Sequence, residues 1–171
     1  CAMNANVIIE DGDLCLKDII KIKKNKQSID LANPLWQTVG NCRSTLEKLI
    51  SNGGESIYGI NTGFGSLCNT IIPEFELDQL QYNLVRSHAC GTGNHISKDS
   101  SRLVLLLKII SLSKGNSCIR TETLKFLIKL YNEDIIPVIP EMGSLGASGD
   151  LAPLAHLSLP LIGEGFVWKN D

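Results

Sequence analysis

The chain has 171 residues, enough for one sizeable core, and its formal net charge at pH 7 is −2. This charge balance gives none of the basic surface that nucleic-acid binding requires, and no run of about 18 uncharged apolar residues is available to span a membrane. The first residues lack a basic start followed by an apolar stretch, so we expect no secretory leader. We therefore predict a cytoplasmic protein that has neither a nucleic-acid partner nor a membrane partner.

The cysteines and histidines are spread along the chain. Zinc sites need more closely spaced ligands, and small disulfide-stabilised domains have denser cysteines. We therefore predict no metal site, reduced cysteines that serve mostly for packing, and structural roles for His95 and His156. The six cysteines, none of them in a Cys-x-x-Cys pair, are Cys1, Cys15, Cys42, Cys68, Cys90 and Cys118.

The N-terminal third predicts a small β element followed by helices. Two apolar triplets, residues 7–9 and 14–16, flank an Asp-Gly turn, which is typical of a short hairpin. A short helix is expected over residues 18–24. Pro34 then stands near a helix start, and apolar residues recur after it at helical spacing until residues 52–54. A glycine-rich loop follows.

The rest of the chain is mainly helical by its pattern. Residues 76–90 and 121–132 each predict an amphipathic helix, and residues 101–113 are apolar nearly all round, as in a helix surrounded by others. Residues 135–140 contain two prolines and are expected to be extended, because residues before proline avoid the helical region. The predicted fold class is mainly α: part of a helical bundle with a small N-terminal β element.

A further helix is predicted near the C-terminus. Asp150 is a good N-cap residue for a helix over residues 151–159, and Pro153 is tolerated in the first turn. Pro160 removes an amide donor, so it should kink or end this helix near Leu159.

The tripeptide just before this helix, Ala147-Ser148-Gly149, has the composition of a self-cyclising segment. Gly149 has no side chain to hinder its amide nitrogen, so the nitrogen can approach the Ala147 carbonyl carbon closely. Attack there and loss of water gives a five-membered ring, and loss of a second water from Ser148 leaves a conjugated exocyclic methylidene. Such a ring is an electrophile, which the ordinary side chains do not supply. By itself, the tripeptide favours an ordinary loop, because Ala-Ser-Gly occurs by chance in many loops.

Three blocks, in the same order, resemble motifs of the histidine and phenylalanine ammonia-lyase family. They are Gly-Ser-Leu-Gly-Ala-Ser-Gly-Asp-Leu-Ala-Pro-Leu-Ala-His (residues 143–156), Tyr-Gly-Ile-Asn-Thr-Gly-Phe-Gly (residues 58–65) and Asn-Leu-Val-Arg-Ser-His (residues 83–88) with Gly91. The resemblance implies that residues 1–171 are the N-terminal portion of a several-fold longer ammonia-lyase subunit whose C-terminal remainder is absent. It also implies a methylidene-imidazolone cofactor formed from Ala147, Ser148 and Gly149, in an enzyme that needs no metal.

The resemblance implies roles for further residues. Tyr58 matches the family's catalytic base, which removes the β-proton of the substrate, and a phenol with an ordinary pKa near 10 needs a polarising partner to do so. Asn61 and Gly65 match the family's lid loop, which implies that they line the substrate pocket. Asp150 would support the cofactor at a helix N-terminus, where the dipole and the amide hydrogens favour negative charge on the ring.

His88 matches the position that selects the substrate. Family members that act on histidine or tyrosine have histidine here, whereas those specific for phenylalanine have an apolar residue. An imidazole can hydrogen-bond a polar atom of the substrate ring and thereby reject rings that lack one. The residues around His88 are most similar to the histidine-specific branch, which implies non-oxidative deamination of L-histidine to trans-urocanate and ammonia.

Alternative functions remain open at this stage. They are a tyrosine or phenylalanine ammonia-lyase, an aminomutase with the same ring, and a catalytically inactive fragment. The resemblance implies that later segments and neighbouring subunits of a homotetramer complete the site that binds the small amino acid substrate. We therefore expect the chain alone to be inactive.

Overall fold

The computed structural model describes residues 6–12, 14–51, 57, 59–62, 72 and 74–169. The helices in these residues are α1 (Leu16–Lys24), α2 (Asn33–Ser51), α3 (Leu77–His88), α4 (Lys98–Ser113), α5 (Thr121–Asn132) and α6 (Leu151–Ser158). The short strands are β1 (Val7–Ile9), β2 (Ile29–Leu31), β3 (Thr92–His95), β4 (Ile136–Pro137), β5 (Pro140–Met142) and β6 (Val167–Trp168). The prediction of a mainly α fold is confirmed. No described helix is both long and apolar enough to cross a membrane.

The predicted N-terminal hairpin is wrong. β1 pairs with β2 in parallel, with Val7 opposite Ile29, and the residues expected to form the second arm of the hairpin lead into α1. The Asp18 carboxylate accepts a hydrogen bond from the Cys15 amide at 3.1 Å, and this contact caps the first turn of the helix. α1 therefore provides the crossover connection that a parallel pair of strands requires.

The predicted helices are confirmed, with small changes at their ends. α2 carries Pro34 in its first turn, where a missing amide hydrogen is tolerated. α4 begins earlier than predicted because the Ser97 hydroxyl accepts a hydrogen bond from the Ser100 amide at 3.1 Å. α6 ends at Ser158, and a 3₁₀ turn (Leu159–Ile162) follows, as expected from Pro160. The segment predicted to be extended contains β4 and the first residue of β5.

The hydrophobic core lies where α2, α4 and α5 pack together with β1, β2 and β4. α5 and α4 contribute the largest shares of the buried side chains. Leu157 connects α6 to the same core. Core side chains with no more than 2% exposure include Ile9, Ile29, Val39, Leu105, Leu106, Ile109, Leu124, Tyr131, Ile136 and Leu157.

Polar contacts fix the end of α5. The Asn132 side chain accepts from the Ile29 amide and donates to the Ile29 carbonyl, both at 2.9 Å, so it joins α5 to β2 as a neighbouring strand would. Just beyond the helix, the Asp134 carboxylate forms ion pairs with Arg102 at 2.6 Å and Lys98 at 2.9 Å. The Arg102 guanidinium also lies over the Tyr131 ring, 4.2 Å from its centroid.

A second group of elements lies beside this core. α3 packs against α6, and β3 pairs with β5 in antiparallel fashion, with Thr92 opposite Met142 and His95 opposite Pro140. β6 returns to pair with β4. This arrangement places the end of α3, which carries His88, beside the segment that leads into α6.

Candidate functional site

The tripeptide Ala147-Ser148-Gly149 lies in an exposed bend immediately before α6, and every residue from 141 to 150 is exposed. The Ser148 hydroxyl donates a hydrogen bond to the Asp150 carboxylate, and the Ser144 hydroxyl donates to the Gly149 carbonyl. Hydrogen bonds with the flanking residues Ser144 and Asp150, rather than burial, therefore hold the tripeptide.

The backbone at Gly149 fits the ring that the resemblance implies. Its φ is +71°, a region that L side chains rarely adopt, so this position favours glycine on conformational grounds alone. Cyclisation has the same requirement, because a side chain would hinder the attacking amide nitrogen. Among the described residues, the nearest heavy atom to a Cβ built at this position is Ser144 Oγ, 3.7 Å away, so none of them crowds the glycine.

Asp150 occupies the N-cap position of α6, but the predicted side-chain cap is wrong. Its carbonyl accepts the Leu154 amide at 3.0 Å, whereas its side chain makes no capping hydrogen bond. An N-cap residue usually has an extended backbone that directs its side chain towards the first turn, and Asp150 instead has helical angles (φ −111°, ψ −7°). Its carboxylate accepts from the Ser148 hydroxyl, within the tripeptide that we expect to cyclise.

His88 is the last residue of α3 and is half-buried. Its Nδ1 lies 2.9 Å from the Leu84 carbonyl oxygen and 3.1 Å from Ser87 Oγ. Because a carbonyl oxygen only accepts, Nδ1 carries the proton and donates to Leu84. In the neutral ring, Nε2 is then the acceptor nitrogen. The hydrogen bonds of Nδ1 remain within α3, so they orient the imidazole without using Nε2.

His156 joins the two parts of the candidate site. Its Nε2 accepts a hydrogen bond from the Gly91 amide at 2.9 Å, which connects α6 to the segment just after α3. Burial, and secondarily the nearby His95, lower the pKa of His156 below its ordinary value. The neutral form that can accept this hydrogen bond is therefore favoured in the folded chain.

Close backbone contact reinforces this connection. A Cβ at Gly91 would lie 2.9 Å from His156 Nε2 and 3.0 Å from Pro140 Cβ, and a Cβ at Gly143 would lie 2.8 Å from the Gly91 Cα. Both glycines thus allow the segment after α3 to pack directly against the segment before α6. We call this contact, formed by Gly91, Gly143 and His156, the glycine–histidine junction.

An ion pair connects the same elements on the surface. Arg86 Nε donates to Glu164 Oε1 at 2.9 Å and so connects α3 to the turn that follows α6. The hydrogen bond from Arg86 lowers the pKa of the Glu164 carboxyl, and the same hydrogen bond raises the pKa of Arg86. Both side chains are substantially exposed, so we assign this pair an orienting role and little stabilising free energy.

The predicted loop residues are only partly described. Tyr58 and Gly65 lie outside the described residues. The Asn61 side chain accepts from the Ile57 amide at 2.7 Å, and the Asn61 carbonyl accepts from the Ile72 amide at 2.8 Å. Asn61 is therefore involved in fixing the shape of its own loop, and its substrate-binding role stays a prediction.

The sequence pattern alone does not reveal the junction. We expected His156 to be structural, and its position is compatible with that, but its partner Gly91 is 65 residues away and no local pattern connects the two. The two glycines were the available signal, because a glycine beside a strand often marks a close backbone approach. Among the described residues, no group of metal-ligating side chains could hold a metal ion.

Comparison with known proteins gives consistent results. A family model described as aromatic amino acid lyase matches residues 14–171. The histidine ammonia-lyase of Legionella pneumophila (strain Lens) is 48% identical over 165 residues, which are 96% of this chain and 32% of that protein. The chain thus spans less than half of the length of this curated relative.

Two solved structures have the same fold over almost the whole chain. Phenylalanine aminomutase from Pantoea agglomerans superposes with a TM-score of 0.89 and 34% identity, covering 96% of this chain and 31% of that one. Histidine ammonia-lyase from Trypanosoma cruzi superposes with a TM-score of 0.83 and 32% identity, with the same coverage of 96% and 31%.

Proposed function

Because this chain belongs to the aromatic amino acid lyase family, we propose that it is the N-terminal part of a histidine ammonia-lyase, which converts L-histidine to trans-urocanate and ammonia. The observation that carries this proposal is the glycine–histidine junction. It fixes the helix end that bears His88 against the segment that bears residues 147–149. The 48% identity to a histidine ammonia-lyase supports histidine as the substrate.

The proposed cofactor is the methylidene-imidazolone ring made from Ala147, Ser148 and Gly149. Once formed, this ring supplies an electrophilic carbon that makes the substrate's amino group a better leaving group. The chain's contribution is to hold the precursor: Gly149 has the backbone angle that favours glycine, and Asp150 accepts the hydroxyl hydrogen of Ser148. The bend also lies at the N-terminus of α6, where the helix dipole favours nearby negative charge.

His88 is proposed to select the substrate ring. With Nδ1 donating to Leu84, Nε2 can accept a hydrogen bond from the N–H of a substrate imidazole. A phenylalanine ring offers no such donor and would leave the nitrogen unpaired, which costs affinity in a desolvated pocket. A tyrosine hydroxyl could also donate to Nε2, so a tyrosine-specific enzyme remains the nearest alternative within the family.

Tyr58 is proposed to be the base that accepts the substrate's β-proton, and Asn61 and Gly65 to line the pocket from the same loop. In the described part of this loop, Asn61 is bonded to both Ile57 and Ile72. A catalytic base must be held within hydrogen-bonding reach of its proton, and these bonds hold described residues that neighbour the proposed base in the chain.

A second candidate function is supported by a specific observation. The Pantoea agglomerans phenylalanine aminomutase has a TM-score of 0.89 to this chain, so the fold of this portion does not separate a lyase from a mutase.

We also propose that the complete protein is a cytoplasmic homotetramer whose later segments and neighbouring subunits complete the site. On this basis the 171-residue chain by itself is inactive.

The test uses the complete subunit of which this chain is the N-terminal part. Histidine, tyrosine and phenylalanine are assayed side by side, with urocanate absorbance as the readout for histidine and amino-group migration as the readout for mutase activity. Histidine should be the preferred substrate, and Ser148→Ala should abolish its turnover. Ser158→Ala in α6, whose hydroxyl donates to the Leu154 carbonyl, is the matched control and should retain activity. Unchanged turnover by Ser148→Ala would refute the proposal.

A further inference from the structure

Two cysteines distant in sequence meet beside the core. The sulfur atoms of Cys42, in α2, and Cys118, in the loop between α4 and α5, lie 3.2 Å apart, although 76 positions separate the residues. Both thiols are free and half-buried. An S–S bond measures about 2.05 Å, so an approach of about 1 Å would bring the two sulfurs to bonding distance.

The backbone on both sides of this pair is held in place. Gly115, at the start of the loop, has φ +71°, and a Cβ there would lie 2.5 Å from Thr38 Cγ2, so the loop packs closely on α2. Arg43, next to Cys42, donates from Nη1 to the Cys118 carbonyl at 3.4 Å. The two thiols therefore face each other because α2 and the loop are packed together.

We propose that Cys42 and Cys118 are a redox modification site that forms a reversible intramolecular disulfide, with a low-molecular-weight disulfide such as oxidised glutathione as the oxidant. One thiolate attacks a glutathione sulfur, forms a mixed disulfide and releases one glutathione thiolate. The second cysteine thiolate then attacks the protein sulfur of the mixed disulfide and displaces the other glutathione. The two cysteine thiols are oxidised, one glutathione disulfide is reduced to two thiols, and the cysteine protons go to the released thiolates.

The disulfide would close a loop that contains residues 58–65 and the whole of α3, and thus two of the three blocks assigned to the candidate site. A cross-link over such a long loop mainly restricts the unfolded chain, and so stabilises the folded one. Burial, and secondarily the hydrogen bond to Cys42, raise the pKa of the Cys118 thiol. Formation of the disulfide should therefore accelerate as the pH is raised.

The experiment equilibrates the 171-residue chain in glutathione buffers, traps free thiols by alkylation, and maps peptides by mass. We expect one cross-link, between Cys42 and Cys118, seen as a linked peptide pair whose mass is two hydrogens below the sum of the two reduced peptides. The exposed Cys15 and Cys90 should form only mixed disulfides with glutathione. The effective concentration of one thiol towards the other should be at least 100-fold higher in buffer than in concentrated urea, because only the folded chain holds the sulfurs together.

Thermal unfolding gives a second measurement. The oxidised chain should unfold at a temperature roughly 5–10 °C above that of the reduced chain. Cys118→Ser should remove this difference, whereas Cys15→Ser, the matched control, should retain it. Glutathione on both Cys42 and Cys118 in place of a cross-link, or equal effective concentrations in buffer and urea, would overturn the proposal.

Discussion

The Gly91 amide donates a hydrogen bond to Nε2 of His156 at 2.9 Å, and this contact joins the end of α3 to α6. Only a neutral imidazole can accept at Nε2, so the contact depends on the protonation state of His156. Burial and the neighbouring His95 lower the pKa of His156 from its ordinary value of 6.5, which keeps the ring neutral in the folded chain.

This dependence predicts a pH effect on stability. As the pH falls below 6.5, His156 gains a proton first in the unfolded chain, so the free energy of unfolding decreases until the pH reaches the lowered pKa of the folded state. Above pH 6.5, the contribution of neutral His156 to the free energy of unfolding is fully present. In urea unfolding, the free energy of unfolding should fall less between pH 7.5 and pH 5.5 for His156→Gln than for the wild type. Equal losses in the two proteins would refute this assignment.

The junction also predicts that Gly91→Ala is destabilising. The added Cβ would lie 2.9 Å from His156 Nε2 and 3.0 Å from Pro140 Cβ, so one of these neighbours must shift, at a cost of about 1–3 kcal/mol. The matched control is Gly40→Ala, in α2, where the Cβ would have no heavy atom of the described part of the chain within 4 Å. That substitution should stabilise the chain by about 0.5–1 kcal/mol. If both variants unfold at the same urea concentration, the junction is not as closely packed as described.

The ion pairs that Asp134 forms with Lys98 and Arg102 predict that Asp134→Asn lowers the stability of the fold. Burial alone would raise the pKa of Asp134, but Lys98 and Arg102 outweigh it and lower that pKa. Asp134→Asn keeps a residue that tolerates the positive φ of 56° but removes the charge that pairs with the almost fully buried Arg102. Urea unfolding should show that the substitution lowers the free energy of unfolding by about 1–3 kcal/mol.

Two comparisons check the Asp134 prediction. Glu133→Gln removes the exposed Glu133–Lys129 pair and should change stability by less than about 0.5 kcal/mol. The difference in free energy of unfolding between wild type and Asp134→Asn should be fully present above pH 3.8, the ordinary pKa of this carboxyl. It should be lost as the pH falls through the lowered pKa of the folded state. A difference that does not depend on pH would show that the carboxylate charge is not responsible.

The proposed role of His88 predicts that its substitution changes the substrate preference. His88→Leu removes the acceptor Nε2 and leaves an apolar side chain at the end of α3. In the complete subunit, kcat/KM for histidine should fall about 10- to 100-fold, and kcat/KM for phenylalanine should rise relative to it. His88→Gln, which retains an acceptor, should lose less activity on histidine. If His88→Leu retains the wild-type preference, His88 does not select the ring.

The sequence predicted the helices well because their signals are local. α2 follows from Pro34 and apolar spacing, and the break at the end of α6 follows from Pro160. The hairpin prediction failed although its Asp-Gly turn is also a local signal, because the adjacent Asp18 caps a helix and β1 finds its partner beyond that helix.

The candidate site was predictable only in part. The tripeptide and the N-cap position of Asp150 follow from residue order, whereas the contact between the Asp150 carboxylate and Ser148 depends on backbone angles that the sequence does not specify. The pairing of Gly91 with His156 and that of Cys42 with Cys118 depend on how distant segments pack. Neither pair has a local pattern that would reveal it.

The central claim is that Ala147, Ser148 and Gly149 cyclise, and the intact mass of the purified complete subunit tests it most directly. We expect a mass lower than the sequence requires by two waters, with the deficit mapped to a peptide containing residues 147–149, and no such double deficit in Ser148→Ala. A subunit that converts histidine to urocanate at the full, uncyclised mass would contradict the claim.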